Sequence, residues 1–198
     1  MEIEELGEPI GKQDQYGTAV GGLKFIRFLR DNTVTVEPII LEREIQQELN
    51  ENLLLFYTGI THSAGDILKE QNANIISAEQ KFNNLIKMTE QAYEMKQALI
   101  GGNLNRFGEI LNEGWHLKRE LASKITSPEI DRYYELAIKN GAKGGKLLGA
   151  GGGGFLLFYC EKDRQKRLRA ALSDMVELRF SMEQEGTKII YVGEKDWD

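Results

Sequence analysis

Two glycine-rich segments carry most of the chemistry that this sequence could perform. The first is Gly11-Lys12-Gln13-Asp14-Gln15-Tyr16-Gly17. An aspartate set between two glutamines can act as a general base held by amide hydrogen bonds. It can equally be a capping aspartate at the start of a helix, and the heptapeptide alone fits both readings. The second segment is Gly149-Ala150-Gly151-Gly152-Gly153-Gly154. Glycines permit positive φ and let a ligand approach the backbone, and consecutive amides can then bind an anion. A flexible linker is a poor reading, because the apolar run LLFYC follows at once and must be buried. A bare tight turn needs fewer glycines than five in six residues, so the anion-loop reading is preferred.

The loop is not a Walker A motif, since no Gly-Lys-Ser/Thr follows it. It is not a dinucleotide fingerprint either, because its glycines precede a strand instead of following one. His62, in Tyr57-Thr58-Gly59-Ile60-Thr61-His62-Ser63, lies just past a predicted strand, where site residues often sit; an ordinary loop is the other reading. His116 follows Trp115 within a predicted helix and reads as structural or exposed. Cys160 ends a predicted buried strand and reads as packing. As the only cysteine it forms no internal disulfide and excludes a multi-cysteine zinc site. Lys162, Arg164, Lys166, Arg167 and Arg169, with Glu161 and Asp163 beside them, read as a solvated helix face. No nucleophile elbow supports Ser/His/Asp hydrolysis.

These residues need elements to hold them. Residues 24–40 read as a β-hairpin turning at Asp31-Asn32, with Pro38 at a strand end. Residues 41–51 read as a helix and 52–59 as a buried strand closed by Gly59. A short helix is expected over 63–71. Ser77-Ala78-Glu79-Gln80 matches a capping box, so a long helix should begin there, with Phe82, Leu85, Ile86 and Tyr93 on its buried face. Gly101-Gly102 should end it. The next helix, about 104–122, places Phe107, Ile110, Leu111, Gly114, Leu117 and Leu121 inward. Ser127-Pro128-Glu129 should start another, closed at Asn140-Gly141. The glycine loop then feeds the strand GFLLFYC, a helix follows over 162–174, and VELRFSM with TKIIYV reads as a final hairpin. The whole is an α+β fold: a mainly antiparallel sheet covered by helices on one face.

The 198 residues suffice for one sizeable domain, or a domain plus part of another. Hydrophobic content of 41% and charged content of 28% are those of a globular protein. A net charge of −6 gives no electrostatic footprint for nucleic acid. No apolar run approaches the ~20 residues that span a bilayer, and the acidic start MEIEELGEPI does not read as a signal peptide. A single cysteine points to a reducing compartment, expected to be the cytoplasm.

GKQDQYGTAVGGLKFIRF near the start and KLLGAGGGGFLLFY near the end, taken together, resemble the GHMP family of small-molecule kinases. The G-x-Q-D-Q form resembles its sugar-kinase branch. LLLFYTGITHSAGDIL resembles the D-glycero-D-manno-heptose 7-phosphate kinases, with fucokinase-type enzymes next. The resemblance implies a ferredoxin-like core, ATP and Mg²⁺ as cofactors, and a sugar phosphate as substrate. It implies that Asp14 is the catalytic aspartate, that Gly149, Gly151, Gly152 and Gly153 support the phosphate-binding region, and that Gln13, Tyr16 and His62 face the sugar. The family usually has Arg at the position of His62. Its Gly-Leu-Gly-Ser-Ser-like ATP loop does not precede Gly11. Residues 1–23 are therefore expected to be the end of a mostly missing N-terminal nucleotide-binding domain, and 24–198 the C-terminal domain. The main Mg²⁺ ligands would lie in that missing half, which a separate chain could supply. A non-catalytic small-molecule binding module is the competing expectation.

Overall fold

The computed structural model describes residues 11–61 and 64–190, with the backbone alone at Ala64. The described residues divide into two compact units, Gly11–Ile40 with 181–190, and Leu41–Phe180.

In the smaller unit, helix α1 (Gln13–Val20) precedes strands β1 (Lys24–Phe28) and β2 (Val34–Pro38). The strands pair antiparallel, with Lys24 opposite Pro38 and Phe28 opposite Val34. The turn is where the sequence places it. Asn32 sits at φ 65°, a conformation asparagine tolerates, and the Asp31 carboxylate accepts from the Thr33 amide at 3.0 Å. The expected C-terminal hairpin does not form among the described residues. Instead, the Gly22 amide donates to Glu183 O at 3.0 Å and the Thr187 amide to Ala19 O at 3.2 Å. Residues 183–187 thus spend their backbone groups on the end of α1 and the turn after it.

The larger unit contains α2 (Arg43–Asn52), β3 (Leu53–Tyr57), α3 (Ala64–Ser77), α4 (Glu79–Ile100), α5 (Leu104–Arg119), α6 (Pro128–Lys139), β4 (Gly144–Leu147), β5 (Phe155–Tyr159), α7 (Gln165–Ala171) and β6 (Val176–Leu178). Its sheet runs β4-β5-β3-β6, antiparallel throughout. Leu54 and Phe56 on β3 and Leu156 and Phe158 on β5 point to one buried face, following the period of two along a strand. Against them pack Trp115 of α5 and Ile130 and Tyr134 of α6. Burying each such side chain contributes about 1.5–3 kcal/mol. The α+β class and the antiparallel sheet agree with the sequence reading.

Helix punctuation also agrees in large part. Gly102 ends α4 at φ 68°, and Gly141 ends α6 at φ 113°. Ser127 Oγ accepts from the Ile130 amide at 3.3 Å, with Pro128 in the first turn.

The capping box is a correction. Ser77 closes α3, its hydroxyl turned to Asn74 O at 3.5 Å, and α4 begins after an Ala78 that offers no side-chain cap. The stripe of α4 is a second correction: Phe82, Ile86 and Tyr93 are exposed. The buried face instead uses Asn84, which donates to Glu120 Oε2 at 2.8 Å and accepts from Gln80 at 3.2 Å. Other elements differ as well: α3 is longer than expected, α5 and α7 are shorter, and β4 had no counterpart in the sequence reading. Among the described residues no helix is long and apolar enough to cross a membrane.

Candidate active site

The candidate residues fall into two groups, one in each unit. Gln13, Asp14 and Tyr16 share α1, so Asp14 occupies the first turn of a helix, where its negative charge suits the positive end of the helix dipole. Gln13 and Asp14 are exposed. The Asp14 backbone carbonyl accepts from Thr18 Oγ1 at 3.0 Å. Its carboxylate forms no hydrogen bond or ion pair with the described residues, leaving both oxygens open to a ligand hydroxyl. Tyr16 is half-buried and meets Phe28 of β1 edge to face, with ring centres 6.0 Å apart.

What holds α1 in place was not evident from the sequence. Lys24, the first residue of β1, folds its ammonium under the end of the helix. There it donates to Gly17 O at 2.6 Å and Gly21 O at 2.7 Å. Cations suit this end of a helix, where carbonyls lack partners. Desolvation draws the Lys24 pKa below the ordinary lysine value.

The glycine loop joins β4 to β5 in the larger unit. Gly149, Gly151, Gly152 and Gly154 all have positive φ, at 79°, 126°, 77° and 93°. The loop is held at several points. The Gly152 amide donates to Ile125 O at 2.8 Å, and the Gly154 amide to Ile60 O at 2.8 Å. Gly154 O accepts from Thr58 N at 2.9 Å and from Thr58 Oγ1 at 3.0 Å. Lys118 reaches over from α5 to donate to Gly149 O at 2.6 Å.

Glycine is needed here for approach as well as for φ. A Cβ on Gly151 would lie 2.8 Å from Ile125 Cα, and one on Gly153 would overlap the carbonyl of Ile60. The amides of Gly152 and Gly154 are therefore consumed inside the protein. Those of Gly149, Ala150, Gly151 and Gly153 find no acceptor among the described residues, and these are the donors the loop can offer an anion.

His62 lies outside the described residues. Thr58, four residues before it, bonds to the loop as above. His116 is exposed and edge-on to Tyr134, consistent with a packing role. Among the described residues no group of three or more His, Cys, Asp or Glu side chains could hold a metal ion. Lys118 was missed because a lone lysine in an amphipathic helix carries no signal that its ammonium will turn toward a distant loop.

Comparison with known proteins extends this geometry. Residues 95–178 match the family described as GHMP kinases C terminal. The chain is 33% identical over 190 residues to the D-glycero-alpha-D-manno-heptose 7-phosphate kinase of Campylobacter jejuni, covering 95% of this chain and 56% of that protein. It is 31% identical to the L-fucokinase/L-fucose-1-P guanylyltransferase of Bacteroides fragilis, over 80% of this chain and 17% of that protein. The crystal structure of a D-glycero-D-manno-heptose 1-phosphate kinase from Bacteroides thetaiotaomicron superposes with a TM-score of 0.69 at 28% identity. That match covers 96% of this chain and 53% of the other. The chain thus spans about half the length of the heptose kinases it matches.

Proposed function

Since the chain carries the C-terminal domain of the GHMP kinases, we propose that it is the acceptor-side part of an ATP-dependent sugar kinase. The proposed acceptor is the anomeric hydroxyl of D-glycero-D-manno-heptose 7-phosphate. The observation that carries this reading is Asp14: an open carboxylate in the first turn of α1, inside a G-x-Q-D-Q segment, in a chain one-third identical to a heptose 7-phosphate kinase.

In the proposed reaction the Asp14 carboxylate takes, or at least orients, the proton of the attacking hydroxyl. That oxygen forms a bond to the γ-phosphorus of ATP, the bond from phosphorus to the β,γ-bridging oxygen breaks, and ADP leaves. Such transfers depend on positioning and on charge stabilisation more than on covalent chemistry. The unbonded amides of Gly149, Ala150, Gly151 and Gly153 are proposed to supply hydrogen bonds to phosphate oxygens. Gln13, Tyr16 and His62 are proposed to face the sugar. Mg²⁺, when bound, supplies positive charge to the phosphates, and the proposal gives its main ligands to the N-terminal half of the whole kinase. Residues 1–23 are proposed to be the end of that half.

The test measures ATP-dependent phosphorylation of D-glycero-D-manno-heptose 7-phosphate, with L-fucose as the comparison sugar. It is run on this chain alone and on this chain joined to the N-terminal half of a heptose kinase. Turnover of the heptose phosphate in the joined form supports the proposal. Preference for fucose moves the assignment to the fucokinases. Sugar binding without turnover in a folded joined form makes the chain a binding module instead.

A further inference from the structure

The larger unit holds a cavity of about 170 Å³ between α4, α5 and β4. Its walls are mainly apolar: Met88 and Met95 from α4, with Ile110, Leu111 and Trp115 from α5. Lys146 reaches it from β4, and among the described residues no carboxylate lines it.

Two residues that line this cavity carry donors without acceptors among the described residues. Trp115 is 1% exposed, and its indole Nε1–H has no partner among the described residues. The Lys146 ammonium forms no hydrogen bond or ion pair with the described residues, and desolvation draws its pKa below the ordinary lysine value. The other polar groups at the wall are engaged elsewhere. Lys118 donates to Gly149 O, and the Gln91 amide donates to Glu113 Oε2 at 3.2 Å. A buried donor left unmade is costly, and a desolvated charge without a partner more so.

We propose that this cavity binds a small amphipathic carboxylate, whose two oxygens take the donors of Lys146 and Trp115 and whose hydrocarbon body lies among Met88, Met95, Ile110 and Leu111. The charge sign follows from two lysines and no acid at the wall. The size follows from the volume, since an apolar cavity of about 150 Å³ accepts benzene. The unbranched methionines adapt to the shape of what enters. A phosphate ester fits worse: it brings more charge and more acceptor oxygens than one ammonium and one indole can serve. The site is independent of the proposed phosphoryl transfer.

The test follows the Trp115 indole resonance of the ¹⁵N-labelled full chain, separated from Trp197 by a Trp197→Phe variant. The chain is titrated with hexanoate and, in parallel, with 1-hexanol, each to about 20 mM, which detects binding down to the millimolar range. Hexanoate is expected to shift Trp115 saturably and to bind at least about tenfold more tightly than hexanol, the usual weight of a charge-assisted hydrogen bond. Lys146→Met is expected to keep hexanol binding and erase the preference. Trp115→Phe, followed by calorimetry, is expected to weaken hexanoate and leave hexanol unchanged. No saturable shift with hexanoate, equal affinity for the two probes, or a preference that survives both substitutions overturns the proposal and leaves the two donors to ordered water.

Discussion

A methyl group on Gly144 would overlap the carbonyl oxygen of Gly108, so β4 and α5 meet backbone against backbone. The same methyl would come within 2.7 Å of the Asn112 amide, which belongs to α5 and cannot move alone. Gly144→Ala should therefore destabilise the chain by about 3 kcal/mol or more, at the upper end of overpacking costs. Urea denaturation measures this, and a wild-type midpoint would mean the two elements lie further apart.

Asp14→Asn should lower transfer in the joined kinase by at least about 100-fold, the lower range for a lost general base. Asp14 is exposed and its carboxylate binds none of the described residues, so the melting temperature should scarcely move. Steady-state turnover together with thermal melting separates the two effects. Retained turnover would remove Asp14 from the chemistry.

The loop glycines should differ in a graded way. Gly149 has positive φ but open space around its missing Cβ, so Gly149→Ala should cost only about 1–2 kcal/mol of backbone strain. Gly153 has no positive φ, but an alanine there must push against the backbone carbonyl of Ile60 and should cost more. Melting curves of the two variants give the order, and a reversed order would contradict the packing of the loop on Ile60.

Cys160 is fully buried, and burial pushes its thiol up to about 11. Reactivity belongs to the thiolate. Ellman's reagent at pH 8 should leave the native chain unlabelled and label one thiol in guanidinium chloride. Rapid labelling of the native chain would place Cys160 nearer the surface.

Arg106 donates to Glu94 at 2.7 Å and to Glu113 at 2.6 Å, and these hydrogen bonds hold both carboxyls below the ordinary glutamate value of 4.5. A carboxyl whose pKa is lowered on folding stabilises the fold above its unfolded value. That stability is lost as pH falls through the lower folded value. The urea midpoint should thus decline as pH is taken below 4.5. Arg106→Leu should lower the midpoint modestly at pH 7, where the network is charged, and approach the wild-type midpoint in acid, so that the decline is flatter. An identical acid limb in the variant would show that the network does not couple to folding.

Much of the fold could be read from local signals. The β1–β2 hairpin, the strands at Leu53–Tyr57 and Phe155–Tyr159, and the caps at Ser127 and Gly141 depend on neighbours in sequence, so propensity and turn chemistry suffice. The misses depend on remote partners. Lys146 and three neighbouring glycine and leucine positions form a strand only because β5 lies beside them, and glycines have no strand propensity to announce it. Phe82, Ile86 and Tyr93 suggested the wrong face of α4 because apolar spacing cannot foresee that Asn84 will be buried with a glutamate and a glutamine for company. Among the candidate residues, Asp14 of the smaller unit and the loop glycines of the larger stood out by type and spacing. Lys24 and Lys118 did not, because their bonds go to backbone carbonyls, which every residue possesses.

The pairing of β3 with β5 joins segments about 100 residues apart. On a ribosome adding about 5–20 residues per second, the strand LLLFY leaves the exit tunnel some 5–20 seconds before the segment that will cover its edge. During that interval α3 to α6 are being made, and an apolar strand waits with an unpaired backbone. Nascent-chain arrest just before Phe155 should therefore yield a sticky, protease-sensitive intermediate, whereas arrest beyond α7 should release a protected one.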